Sequence, residues 1–331
     1  GDNNSAFGYG ALGSVTTGGI NNAFGKNSLF TVTTGSNNVA MGENALYTNN
    51  ADNNTGIGHN ALVADTTGHG NVAVGKDSMA ANTEGFQNVA LGEDSLQANT
   101  TGDYNVALGK SALFANTTAD NNIAVGRNTM AANTTGTRNI AIGTTAYTAS
   151  DTENDNIAIG YAAMTTDTAG GTGNLAIGNY ALDALTSGDY NTAVGLSALG
   201  ANTTAGSNVA IGTSALEFNT TGARNTAVGT SSLDANTTGN DNTAVGLNAL
   251  GANTTADYNT AVGRNALFVN TSGTKNSALG KDSLLANTTG NYNTAIGEGS
   301  LKANTTASFN TGLGQESLAA NTTGAKNVAL G

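Results

Sequence analysis

Cysteine, proline and tryptophan are absent from this 331-residue chain, and charged residues make up only 10% of it. Without cysteine there is no disulfide framework and no thiolate metal site. The 11 lysine and arginine residues are outnumbered by 23 acidic ones, so the clustered positive charge that phosphate binding requires is missing, and we expect no nucleic-acid partner. No apolar run approaches the ~18 residues of a membrane-spanning helix, which predicts no membrane insertion in this segment.

Glycine is abundant, and its positions reveal an internal repeat. One glycine, which we call the anchor glycine, recurs every 17 residues from Gly8 to Gly331, with one 16-residue step (42–58) and one 18-residue step (160–178). Consecutive units read NTAVGLSALGANTTAGS and NVAIGTSALEFNTTGAR. We predict a single continuous array over residues 1–331, taken from a longer chain. The irregular steps, near 49–54 and 167–173, are predicted to be loop bulges that leave the strands in register.

Four columns of the repeat are strongly constrained. Asparagine stands four residues before each anchor glycine, an apolar residue stands directly before it, and leucine usually stands four residues after it. Examples are Asn191, Asn208, Asn225 and Asn242 for asparagine, Val194 and Ile211 for the apolar residue, Gly195 and Gly212 for the anchor, and Leu199 and Leu216 for leucine.

These short constrained segments predict strands, because glycine, asparagine and threonine at this density disfavour helices. One unit cannot bury its few apolar residues, but stacked units align them into continuous ladders. The sequence therefore predicts an all-β, parallel β-solenoid of about twenty 17-residue coils. The asparagine column is predicted to form a buried ladder of amides, and the anchor glycine a tight corner that needs positive φ or close backbone approach.

The NTAVGxxAL core resembles the YadA-like head repeat of trimeric autotransporter adhesins, and also the NTAVGxxALxxNTTG arrays of phage and bacterial tail-fibre-domain proteins. The resemblance covers essentially the whole chain. It implies a left-handed parallel β-roll, assembly of three chains into a homotrimer, and an extracellular location on a cell surface or a virion fibre. The adhesin unit is usually shorter than this one, so the additional Asn-Thr-Thr-Gly segment is expected to alter the cross-section of the coil.

Catalytic chemistry has little support in the sequence. No GxSxG, Walker, HExxH or EF-hand pattern occurs, and the only histidines, His59 and His69, stand in variable columns. We therefore predict no enzyme, no cofactor and no metal site. Acids before the asparagine column, such as Asp103, Asp189 and Asp257, leave occasional calcium binding as an alternative. Triplets such as Asn202-Thr203-Thr204 match the glycosylation pattern, but a turn ladder of Thr and Asn explains them more simply.

Aromatic and basic residues are common directly before the asparagine column. Tyr104, Tyr190, Arg224, Tyr258 and Tyr292 belong to this set. Their variation between units indicates an outward position, where they could contact a glycan or protein receptor by stacking and hydrogen bonding. Packing between the chains of a trimer is the alternative interpretation.

The sequence as a whole predicts an extracellular structural or adhesive fibre segment that acts as a stiff spacer and as a possible host-binding or surface-binding module. The alternative is an ice-binding solenoid, because the pairs Thr203-Thr204 and Thr220-Thr221 repeat one coil apart. A solenoid enzyme would need a local cluster of carboxylates or bases that breaks the repeat, and none is visible in the sequence.

Overall fold

The computed structural model describes residues 1–166 and 170–331. The chain divides into two compact units, Gly1–Thr168 and Ala169–Gly331, and each is considered by itself. Within the described residues there is no helix, and the only regular elements are strands of three residues, one in each repeat.

The described residues of each unit form ten strands. In the first unit they are β1 (Ser5–Phe7), β2 (Asn22–Phe24), β3 (Val39–Met41), β4 (Thr55–Ile57), β5 (Val72–Val74), β6 (Val89–Leu91), β7 (Val106–Leu108), β8 (Ile123–Val125), β9 (Ile140–Ile142) and β10 (Ile157–Ile159). In the second unit they are β11 (Leu175–Ile177), β12 (Thr192–Val194), β13 (Val209–Ile211), β14 (Thr226–Val228), β15 (Thr243–Val245), β16 (Thr260–Val262), β17 (Ser277–Leu279), β18 (Thr294–Ile296), β19 (Thr311–Leu313) and β20 (Val328–Leu330).

Within each unit every strand pairs in parallel with the next one along the chain, and equivalent repeat positions face each other. Thr192 is opposite Val209, and Val194 is opposite Ile211. Turns are stacked in the same way, since the Leu199 N–H donates to the Ala215 carbonyl at 3.0 Å and the Thr203 N–H to the Thr220 carbonyl at 3.1 Å. The predicted all-β parallel β-solenoid is thus confirmed for each unit.

The 16-residue step leaves the strands in register, because Val39 of β3 is opposite Thr55 of β4. One residue is lost from the turn, and the side chain of Asn50 replaces a backbone acceptor. Its Oδ1 accepts the N–H groups of Thr33 and Thr34, each at 3.0 Å. At the 18-residue step, residues 167–169 of the predicted 167–173 bulge lie outside the described part of the chain.

The interior of a coil is lined by small and amide side chains. The asparagine column and the alanine two residues before each anchor point inward, as does the leucine four residues after it; Asn208, Ala210 and Leu216 are all fully buried. The alanine column meets the leucine column, because a Cβ added at Gly56, which replaces that alanine, would lie 3.1 Å from Cγ of Leu46. Side chains alternate along a strand, so the larger apolar residue directly before the anchor points outward.

The coil turns through residues with positive φ, a conformation that is unfavourable for L-residues. The anchor glycine has φ near +135°, for example +143° at Gly195, and the buried leucine column also lies in the left-handed region, with φ of 52° at Leu199. A Cβ added at Gly195 would lie 2.4 Å from the Gly212 carbonyl oxygen. The anchor column is therefore restricted to glycine by its φ and by the backbone of the neighbouring coil.

Candidate interaction surface

The outward face of the strands is a candidate interaction surface. We call it the strand face; it consists of the first and third residues of each strand. The third residue is apolar in all twenty strands, and no charged residue occupies either column. Several of these side chains are well exposed, including Met41 and Leu91 at 49% each and Ile211 at 41%. An apolar surface of this regularity is typical of a face that is covered by a partner.

The two units differ in the first column of the strand face. From β5 to β10 it holds only valine and isoleucine, so that both columns are aliphatic. From β12 to β19 it holds threonine or serine in every strand except β13, so that a hydroxyl column runs beside an aliphatic one. The predicted ladder residues Val194 and Ile211 lie in the aliphatic column, in register with each other and outside the coil.

The predicted asparagine ladder has a specific hydrogen-bonding pattern. Asn191, Asn208, Asn225 and Asn242 are no more than 1% exposed. The backbone N–H of each donates to Oδ1 of the asparagine in the preceding coil, as from Asn225 to Asn208 at 2.9 Å. Its Nδ2 donates to a turn carbonyl 14 residues later, as from Asn225 to Gly239 at 2.8 Å. Each asparagine thus bonds to the asparagines of the preceding and following coils, and its side chain satisfies buried backbone groups.

A second asparagine ladder, in the ANTT segment, was not anticipated as a buried element. Nδ2 of Asn219 donates to Oδ1 of Asn202 at 2.9 Å and to the Gly222 carbonyl at 2.9 Å. Both asparagines are fully buried. Their Nδ2 groups point into the coil, so the folded structure withholds the Asn202-Thr203-Thr204 triplet from glycosylation. The recurrence of this asparagine in the repeat is the sequence signal from which its burial could have been predicted.

The second ladder is interrupted at Ser150, where asparagine would continue it. Oδ1 of Asn133 and Oγ of Ser150 are both buried without a hydrogen-bond partner. In the coils before the interruption, the corresponding bond from Asn133 Nδ2 to Asn116 Oδ1 measures 3.0 Å. Ser150 thus leaves two buried polar atoms unsatisfied, which is unfavourable.

We expect Ser150→Asn to stabilise the first unit by about 1–2 kcal/mol, because the new Nδ2 can donate to Asn133 Oδ1 and remove a buried unsatisfied acceptor. Urea unfolding followed by circular dichroism measures the change. Ser150→Ala is the matched control, since it removes the orphaned hydroxyl without supplying a donor and should gain less. Equal stability of the two variants would contradict a ladder bond at this position.

An acid, Asp65, stands at one position of this column. Asp65 is fully buried, and its two oxygens accept Nδ2 of Asn82 at 3.1 Å and Nδ2 of Asn54 at 3.2 Å. Burial raises the pKa of Asp65 to about 8, although hydrogen bonds from Asn82 and from the Gly68 backbone oppose the shift. A neutral carboxyl is therefore the favoured form in the folded chain near pH 7.

The acids that the sequence offered as calcium ligands have a structural role. Oδ1 of Asp103 accepts the N–H of Phe86 at 2.9 Å, and Oδ1 of Asp257 accepts the N–H of Asn240 at 2.6 Å. Asp189 does the same for Thr172 at 2.8 Å. Each carboxylate satisfies a backbone donor of the preceding coil. Within residues 1–166 and 170–331, no group of three or more His, Asp or Glu side chains could hold a metal ion.

The predicted contact residues Tyr104, Tyr190, Arg224, Tyr258 and Tyr292 are all exposed and have φ between 56° and 61°. We call the column directly before the ladder asparagines the corner column. Some residues of this column pack on one another from coil to coil. The rings of Tyr292 and Phe309 are 5.0 Å apart at 4°, and Nζ of Lys275 lies 5.1 Å from the Tyr292 centroid.

Opposite charges pair along the column that follows the anchor glycine. Lys26 contacts Glu43 at 2.9 Å and Lys281 contacts Glu298 at 2.8 Å, in both cases one coil apart. The hydrogen bond from Lys26 lowers the pKa of Glu43. These pairs are exposed, so they contribute little to stability. His59 and His69 are separate from each other: Nδ1 of His59 is 3.9 Å from Asp77, and His69 stacks on Phe86 at 5.0 Å.

Among the described residues, no helix has the length and apolar character needed to cross a membrane. A comparison of the chain with protein-family models finds no match, and a comparison with curated proteins finds none.

Proposed function

We propose that this chain is a segment of an extracellular homotrimeric fibre, located on a cell surface or a virion, that acts as a stiff spacer and presents an adhesive surface. The strand face carries this proposal. It presents an apolar residue in every coil without a single charge, and such a face is stabilised when another copy covers it. Its regular repetition makes copies complementary along their length, as in the fibres that the repeat resembles, whose coils are left-handed.

The homotrimer predicts a solution mass near three times 32.6 kDa, measured by light scattering on a sizing column. We expect Leu91→Asp to reduce the mass toward that of one chain, because it places a charge in the apolar strand face. Leu196→Asp is the matched control: Leu196 is equally exposed, at 49%, but lies after an anchor glycine and outside the strand face. A folded wild-type monomer, or the same mass loss in both variants, would contradict assembly through this face.

Ice binding is the second candidate function, and a column other than the Thr-Thr pairs of the ANTT segment favours it. The hydroxyl of Thr203 donates to the Thr220 carbonyl at 3.1 Å, so the first threonine of each pair is engaged within the solenoid. The hydroxyl column of the strand face in the second unit, which includes Thr226, Thr243 and Thr260, instead lies on the outward side of a parallel sheet. Thermal hysteresis in the wild-type chain, lost in Thr243→Lys, would favour ice binding over the fibre; we expect no hysteresis.

A further inference from the structure

In the second unit, side chains of the corner column contact neighbours of the same column one coil away. Besides the stacked Tyr292 and Phe309, Arg224 contacts Asp241 in the next coil through two parallel hydrogen bonds of 2.7 and 2.8 Å. The side chains follow the coil spacing of ~4.8 Å, which is close to the spacing of stacked rings. A continuous column of this kind offers a ligand only the edges of its rings.

Ser207 interrupts this column. Its short side chain lies between Tyr190 in the preceding coil and Arg224 in the following one, and it leaves a notch of about 350 Å³. The ring of Tyr190 lies over Gly173 on its other side, where an added Cβ would be 2.9 Å from Cδ1. Tyr190 is still 69% exposed. Residues 190 and 224 are two coil steps apart, roughly 10 Å, a spacing that accommodates one ring between their side chains.

The lining of the notch selects the kind of ring. Hydroxyl groups come from Ser187, Thr204 and Ser207, and a carboxylate comes from Asp189. Only one wall is aromatic. The opposite wall is a guanidinium whose charge is balanced by Asp241, at 2.7 Å. An aromatic ligand would make no hydrogen bonds to the hydroxyl groups of this lining, whereas a sugar has one apolar C–H face for a phenol ring and hydroxyls that hydrogen-bond to the polar groups.

We propose that the notch between Tyr190 and Arg224 binds a pyranose ring of a glycan. The apolar face of the sugar stacks on Tyr190, and its hydroxyls exchange hydrogen bonds with Arg224, Ser207 and Asp189. This inference rests on the proposed function, because it assigns the adhesive role to the corner column while the strand face is covered by assembly.

Saturation-transfer NMR on the wild-type chain tests the notch, with the methyl glycosides of glucose, galactose, N-acetylglucosamine and N-acetylneuraminic acid as probes. Ser207→Tyr fills the notch with a residue that the same column accepts at Tyr258 and Tyr292 with similar φ, so the fold is retained. We expect at least one sugar to bind, and its affinity to fall roughly tenfold or more in Ser207→Tyr and in Tyr190→Ala. Tyr258→Ala, an exposed tyrosine of the same column away from the notch, is the control and should bind as the wild type does.

Binding by none of the four sugars, or equal binding by Ser207→Tyr and the wild type, would overturn the notch as a glycan site. The solution mass separates this result from the proposed assembly. If the chain is a monomer and its sugar binding is lost in Ser207→Tyr, the glycan site is supported and the trimer is refuted. If the chain is a trimer that binds none of the sugars, only the glycan site is refuted.

Discussion

Replacing a single anchor glycine, Gly195→Ala, should destabilise the second unit by about 4 kcal/mol or more. Two causes act together. Gly195 has φ of +143°, a conformation that alanine rarely adopts, and the new Cβ would lie 2.4 Å from the carbonyl oxygen of Gly212. The obstructing atom belongs to the backbone, so the coils must separate to make room. Urea unfolding measures the loss, and hydrogen exchange of the amides near residues 195–212 locates it.

Gly200→Ala is the control within the same coil. Gly200 does not have positive φ, and its nearest obstruction is the Ser197 carbonyl oxygen, 3.3 Å from an added Cβ. The same column holds Asp183 and Glu217 in the adjacent coils, so a side chain is accommodated there. We expect a change within about 0.5 kcal/mol. Similar losses of stability in Gly195→Ala and Gly200→Ala would show that the close approach of anchor glycines is not what restricts the anchor column to glycine.

The second large effect is expected at Asp65, where Asp65→Asn should stabilise the first unit increasingly as pH rises. The folded-state pKa is raised to about 8, whereas the ordinary value is 3.8. Between these values the unfolded chain is ionised at Asp65 and the folded chain is protonated, so the wild type loses stability by about 1.4 kcal/mol per pH unit. Asparagine does not titrate, and it continues the amide ladder. The increase in the free energy of unfolding of Asp65→Asn over the wild type should be near zero at pH 4 and on the order of 5 kcal/mol at pH 8 and above.

Urea unfolding of both proteins at pH 4, 6 and 8 tests this dependence. Asp241→Asn is the matched control, because a hydrogen bond from Arg224 lowers the pKa of Asp241. Both its folded and unfolded pKa values therefore lie below pH 5, and removal of the acid should cost a little stability by an amount that is constant from pH 5 to 8. A gain for Asp65→Asn that is equal at pH 4 and pH 8 would refute a buried, protonated Asp65.

The low apolar content of the chain is compatible with folding because much of the interior is polar and hydrogen-bonded. Fully buried Asn202, Asn219 and Asn225 are hydrogen-bonded to other asparagine amides or to turn carbonyls. A buried amide is costly only when it lacks partners. Each coil of the repeat supplies the same hydrogen-bond partners, so an arrangement that satisfies the amide in one coil satisfies it along the whole ladder.

Much of the fold was determined by the sequence alone. Parallel stacking of coils can be predicted from the 17-residue spacing and from the asparagine and anchor glycine of every unit. Stacked units of the same sequence place identical residues opposite each other. The Asn208 and Asn225 ladder and the tight corner at Gly195 and Gly212 follow from the same argument.

Only the tertiary structure decided which side of the coil each column occupies. Val194 and Ile211 are as apolar as any core residue, yet they face outward. Successive side chains of a strand point to opposite faces, and the preceding residues, Ala193 and Ala210, fill the narrow interior. The burial of Asn202 and the notch at Ser207 likewise depend on coil-to-coil distances. A repeat in sequence fixes which residues stack, whereas closure of the backbone fixes whether that stack lies inside or outside.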